Sequence, residues 1–131
     1  MGFDWEKYLE LAQYLHKNSE TFPDKEACCR AAVSRAYYAA YGVVCVYIRN
    51  IDGEAFRGGD SHKRIQMHLT KSGDEKKRTI ANQLKMIHTN RKKADYNDTF
   101  REKPCNLASV ATAQAKRIIS EVEELFENKS N

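Results

Sequence analysis

His88 and Arg91 stand three residues apart, a spacing that places both on one face of a helix. An imidazole that titrates near neutral pH and a cation that keeps its proton are the groups needed to cleave a phosphodiester with its own 2′-hydroxyl as nucleophile. Arg57 and His62 form an alternative pair with four residues between them, inside a Gly-rich stretch. Around Arg91 lie Lys92, Lys93, Asp95 and Tyr96, and an earlier apolar segment holds Arg35 and Tyr38. A guanidinium that points inward needs a carboxylate or carbonyls, and Asp95, one turn on, is placed to serve Arg91. Two readings stay open for this group: a polar lock that fixes how two helices dock, or the floor of a pocket for a phosphate or nucleotide. His16 and His68 have no partner in sequence and are read as solvated or partly packed.

Charge and composition narrow the field. The chain has 131 residues, the size of a single domain over 1–131, with 41% apolar and 31% charged residues but only 6 Gly and 2 Pro. That balance excludes disorder and an all-β sandwich, and favours helix. Residues 57 to 103 hold 13 Lys and Arg against 6 Asp and Glu, while the whole chain is only +4, so a basic middle is flanked by acidic ends. Such a middle offers a positive face to phosphates. Four cysteines, Cys28, Cys29, Cys45 and Cys105, form no CxxC pair, and Cys28 and Cys29 would point to different sides of a helix. They predict a reduced, cytoplasmic chain with no metal and no cofactor. The longest uncharged run, Ala36 to Ile48, has 13 residues, short of the roughly 20 that a membrane span needs.

The elements that must position these residues follow from apolar spacing. Trp5, Tyr8, Leu11, Ala12 and Leu15 predict an amphipathic helix from Asp4, its N-cap, to about Lys17. Asp24 caps a second helix that runs to about Asn50. Its stretch AAVSRAYYAAYGVVCVYI has Arg35 as its one charge, so it must be covered on several sides, and one face is expected to bury against a second subunit. A loop with Gly53, Gly58 and Gly59 precedes a short helix capped by Ser61. Ser72-Gly73-Asp74 breaks the chain again before a helix from about Glu75 that carries Ile80, Leu84, Ile87 and an inward Arg91. After Pro104 a last helix runs to near Glu127. Four long helices and one short one imply an all-α, up-and-down bundle.

The string Ser34-Arg35-Ala36-Tyr37-Tyr38-Ala39-Ala40-Tyr41, a Gly-containing loop leading to Ser61-His62, and Arg91-Lys92-Lys93-Ala94-Asp95-Tyr96 at the end of a later helix resemble the HEPN family. The resemblance covers roughly residues 4 to 127. It implies a helical bundle that pairs as a homodimer, often encoded beside a minimal nucleotidyltransferase, and many relatives are metal-independent ribonucleases acting as toxins or in defence. Those nucleases use an Arg followed after four to six residues by a His. No His follows Arg91 at that distance. The resemblance and the basic middle together therefore predict an RNA- or nucleotide-binding module in a toxin–antitoxin setting. A ribonuclease with a different residue set and a structural dimeric adaptor are the alternatives.

Overall fold

The computed structural model describes residues 2–21 and 23–130, with side chains through 128. Five helices are present and no strand among the described residues: α1 (Glu6–Lys17), α2 (Lys25–Tyr47), α3 (Ser61–Lys71), α4 (Glu75–Tyr96) and α5 (Pro104–Ser130). The capping chemistry is mostly local. Asp24 accepts from the Ala27 N–H, and Asp74 accepts from the N–H groups of Lys76 and Lys77. Trp5, not Asp4, occupies the cap position of α1 and makes no side-chain cap bond, while Asp4 one residue earlier accepts from the Glu6 N–H at 3.1 Å. Ser61 does not cap α3. Its hydroxyl instead meets the Tyr41 hydroxyl at 2.6 Å, and Asp60 occupies the cap position without a side-chain bond.

Pairings along the chain fix the directions of the helices. The Leu15 carbonyl accepts from Cys28 and the Trp5 indole lies on Gly42, so α1 runs antiparallel to α2. Arg30 reaches the Ala94 carbonyl and Lys77 lies over the Tyr47 ring, so α4 is antiparallel to α2 as well. Asn90 bonds Gln114 and Lys76 pairs with Glu124, which makes α5 antiparallel to α4. It follows that α2 and α5 run the same way. They make the most extensive contact in the molecule, and the large buried side chains Ile80, Leu84, Ile87, Ile118 and Val122 converge on them. Each such side chain contributes roughly 1.5–3 kcal/mol by leaving water.

Helix α2 is covered by α1, α4 and α5, and much of the cover that its apolar surface requires comes from within the chain. Gly42 matters to that cover: a Cβ there would overlap the Trp5 indole, so only glycine lets α1 lie this close. After Tyr47 the helix loosens into a π-turn, Ile48–Asp52, stopped by Gly53 at φ 74°. By length and composition alone, Lys25–Asp52 would suffice to cross a membrane, although no uncharged run in it approaches 20 residues; 61% of its most apolar window is buried within the bundle.

Helix α3 stands outside this bundle, packed on α4. Asp52 holds its far end: the carboxylate accepts from His68 Nε2 at 2.9 Å and from Lys77 Nζ at 3.2 Å.

The cysteines depart from expectation. Cys29 and Cys105 are joined as a disulfide, with Cα atoms 5.0 Å apart and a sequence separation of 76. The parallel contact of α2 and α5 brings their first turns together, which no local spacing could show. A chain with all thiols reduced is thus overturned, and with it the ground for expecting a cytoplasmic location. Cys28, on the opposite side of α2, is free and donates to the Leu15 carbonyl. Next to the disulfide, the Arg30 guanidinium donates to the carbonyls of Ala94, Asn97 and Asp98 and lies over Phe100. The connection between α4 and α5 is thereby tied to α2.

In the chain-entropy picture, a cross-link that closes so long a loop stabilises by about 4 kcal/mol. Alkylation of denatured, unreduced protein is expected to label Cys28 and Cys45 only, and Cys105→Ser to lower the melting temperature by several degrees or more; labelling of all four cysteines would show the cross-link absent.

Candidate functional site

Because α2 and α4 are antiparallel, the two sequence strings that each carry an arginine face one another across one seam. Arg91 Nη2 donates to the Tyr38 hydroxyl at 2.9 Å and to the Tyr96 hydroxyl at 3.3 Å. Its guanidinium lies over both rings, 5.3 and 5.2 Å from their centroids. Arg91 Nε is 2.8 Å from Asp95 Oδ2, but the N–H is not aimed along a hydrogen bond, so this contact is charge pairing. The Ser34 hydroxyl donates to the same carboxylate oxygen at 3.2 Å. Arg35 donates weakly to Ser34 at 3.4 Å and spreads over Tyr8 and Tyr38, which links α1 to the seam. Burial works against the Arg91 charge, while Tyr38 and Asp95 more than offset it and raise its pKa above the ordinary value.

One turn back along α4, His88 stacks on His62 of α3 with ring centroids 3.6 Å apart and planes 18° from parallel. The Tyr37 hydroxyl lies 2.8 Å from His62 Nδ1, and its ring also touches the His88 ring. Burial, then His88, Lys92 and Arg91, push His62 down to about 4. Burial, then Lys92 and Arg91, lower His88 too. Both imidazoles are neutral at pH 7. Burial keeps the Tyr37 phenol protonated well beyond the usual range.

The pair opens onto a groove of about 500 Å³ between α3 and α4. Lys63 and Lys71 from α3 and Lys85 and Lys92 from α4 line it, with no Asp or Glu among the lining residues. At 1.5 Å per residue the lysines on each helix stand roughly 10–12 Å apart. The exposed Met67 also lines the groove, and Gln66 Nε2 is buried there without a partner.

The residues singled out by sequence are thus divided among several places. His88 and Lys92 line the groove together with His62, whereas Arg91 lies behind the stack within the Tyr38, Asp95 and Tyr96 network. Arg57 is not in the groove: it lines a separate cavity of about 110 Å³ with Cys45 and Arg49, and its carbonyl accepts from Arg64. Lys93 pairs with Glu102 at 3.1 Å and braces the connection to α5. His68 has the Asp52 partner that sequence did not reveal. Sequence reasoning missed Tyr37, Lys63, Lys71 and Lys85 as site residues. The one signal that could have found them is the break at Gly73, since a helical hairpin folded there sets residues of α3 opposite residues of α4. Among the described residues no cluster of three or more His, Cys, Asp or Glu could hold a metal ion.

Two outcomes are expected. Arg91→Ala strands the Asp95 carboxylate and should cost about 1–3 kcal/mol, less than for a fully buried pair because both side chains retain some solvent contact, with Asp95→Asn costing less; thermal melts check both. His62 is neutral in the folded chain and charges more easily when unfolded, so stability is full above pH 6.5 and declines as pH falls toward 4. Melting temperatures across that range, steeper for the parent than for His62→Gln, are the measurement.

In comparisons with known proteins, no family model, no curated protein and no solved structure matches the chain.

Proposed function

We propose that the groove between α3 and α4 binds RNA, or a nucleotide, through its phosphates. The observation that carries this is a groove with four lysines and two neutral imidazoles and no carboxylate in its lining. Lysines roughly 10–12 Å apart along each wall are more than one phosphate can span, which favours an extended polyanion. Outside the groove, the exposed Tyr96 offers an aromatic ring for an unstacked base. The setting that fits this reading is a HEPN-type homodimer in a toxin–antitoxin or defence system, with a minimal nucleotidyltransferase as partner. Exposed Leu11 and Tyr14 on α1 are candidates for the contact between copies.

The His62–His88 pair favours a second reading, a metal-independent ribonuclease. One neutral imidazole can take the proton of a ribose 2′-hydroxyl as that oxygen attacks phosphorus, and the N–H of the other can protonate the 5′-oxygen as its bond to phosphorus breaks. Lys92, and Arg91 behind it, would stabilise the charge that gathers on the phosphoryl oxygens.

Fluorescence anisotropy with single-stranded RNA tests the first reading. Affinity is expected to fall steeply between low and moderate salt, and Lys63→Glu and Lys92→Glu should each weaken binding about tenfold or more at low salt. Lys93→Glu, outside the groove, should have the smaller effect. Binding indifferent to salt and to Lys92, or none at low salt, leaves the adaptor role. Incubation of the RNA with EDTA present, for the parent and for His88→Gln, decides whether cleavage accompanies binding.

A further inference from the structure

We infer that an anionic phosphate entering this groove binds together with one proton, taken up by His88, while His62 remains a neutral donor held in one tautomer by Tyr37. This rests on the groove being a phosphate site, and adds how that site is regulated.

The two histidines differ in their surroundings. His62 Nδ1 is occupied by the Tyr37 hydroxyl at 2.8 Å. The buried Tyr37 O–H has no other acceptor among the described residues, so donation to Nδ1 is the arrangement that leaves it satisfied, and it places the His62 proton on Nε2, which has no hydrogen-bond partner among the described residues. Protonating His62 would force the phenol to give up its donor role. His88 carries no such constraint: neither of its ring nitrogens has a hydrogen bond among the described residues, and it lines the groove. It can therefore gain a second N–H without breaking an existing bond.

Three surroundings decide when it does so. Tyr37 and Tyr41 face the pair from α2, Arg91 and Lys92 from α4, and Lys63 lines the groove on α3. The charges that line the groove are all positive and the Asp95 carboxylate is already paired with Arg91, so in the empty groove a further cation on the pair is disfavoured. A phosphate supplies the missing counter-charge and reverses that balance. The rings are stacked 3.6 Å apart, so once one is cationic its neighbour resists charging, which limits the uptake to one proton. Affinity should then be flat at alkaline pH and rise as pH falls through neutrality, by at most about tenfold per unit.

Calorimetric titration near pH 6.5, in two buffers of different ionisation heat, tests this with a short single-stranded RNA, whose phosphodiesters do not themselves titrate there. Uptake of up to one proton per ligand is expected in the parent, and none in His88→Gln, whose affinity should also lose its pH dependence. Long-range nitrogen–proton spectra of the unaltered protein give a reading that needs no variant. His62 should show the Nε2–H tautomer with and without pyrophosphate, and His88 should shift toward imidazolium when pyrophosphate is added at constant pH. Binding without proton uptake, uptake that persists in His88→Gln, or protonation at His62 overturns the inference and leaves the phosphate site standing. Failure of both probes to bind at any pH overturns both.

Discussion

A guanidinium that cannot give up its proton is held against the most apolar helix of the chain, and the seam between α2 and α4 is built round that fact. Arg91 could not rest there on one carboxylate alone. Two tyrosines give it hydroxyl acceptors and ring faces, and Asp95 gives it the opposite charge. The carboxylate is steadied in turn by Ser34 from the facing helix. Satisfying Arg91 thus requires α2 and α4 to meet in one register, and that register sets the rotation of α4 that turns His88 and Lys92 toward α3.

The same positive charge acts at a distance on the histidines. Arg91 and Lys92 add to burial in keeping His62 and His88 neutral, so a network that serves docking also sets the protonation state of groups it does not bond. From sequence alone, a docking lock and a pocket floor are alternatives for this cluster. In the fold the guanidinium itself belongs to the lock, and its field reaches the groove.

How far the sequence reveals this depends on the range of each interaction. Apolar spacing places all five helices, because a stripe such as Ile80, Leu84 and Ile87 is a local pattern. Asp24 is legible as a cap for the same reason. Ser61 misleads because a hydroxyl before a helix can serve a distant tyrosine as well as its own backbone. The Cys29–Cys105 link, the His62–His88 stack and the Asp52–His68 pair are invisible, since each joins residues brought together by helix packing and no periodicity encodes them. The lysines of the groove count within the basic middle, but which of them converge, and that Lys93 turns away to Glu102, follows from the hairpin of α3 and α4.

Helix α3 is a satellite, joined to the bundle by its packing on α4 and by polar clasps at Tyr37, Tyr41 and Asp52. The hydrophobic interior is drawn mainly from the other four helices, with Ile65 and Leu69 as α3's fully buried share. One wall of the groove therefore belongs to the framework that sustains the fold and the opposite wall does not. Outward positions of α3 such as Lys63 and Lys71 are free to vary with little cost to folding, whereas the facing positions Lys85 and Lys92 ride on a helix whose other side the core depends on.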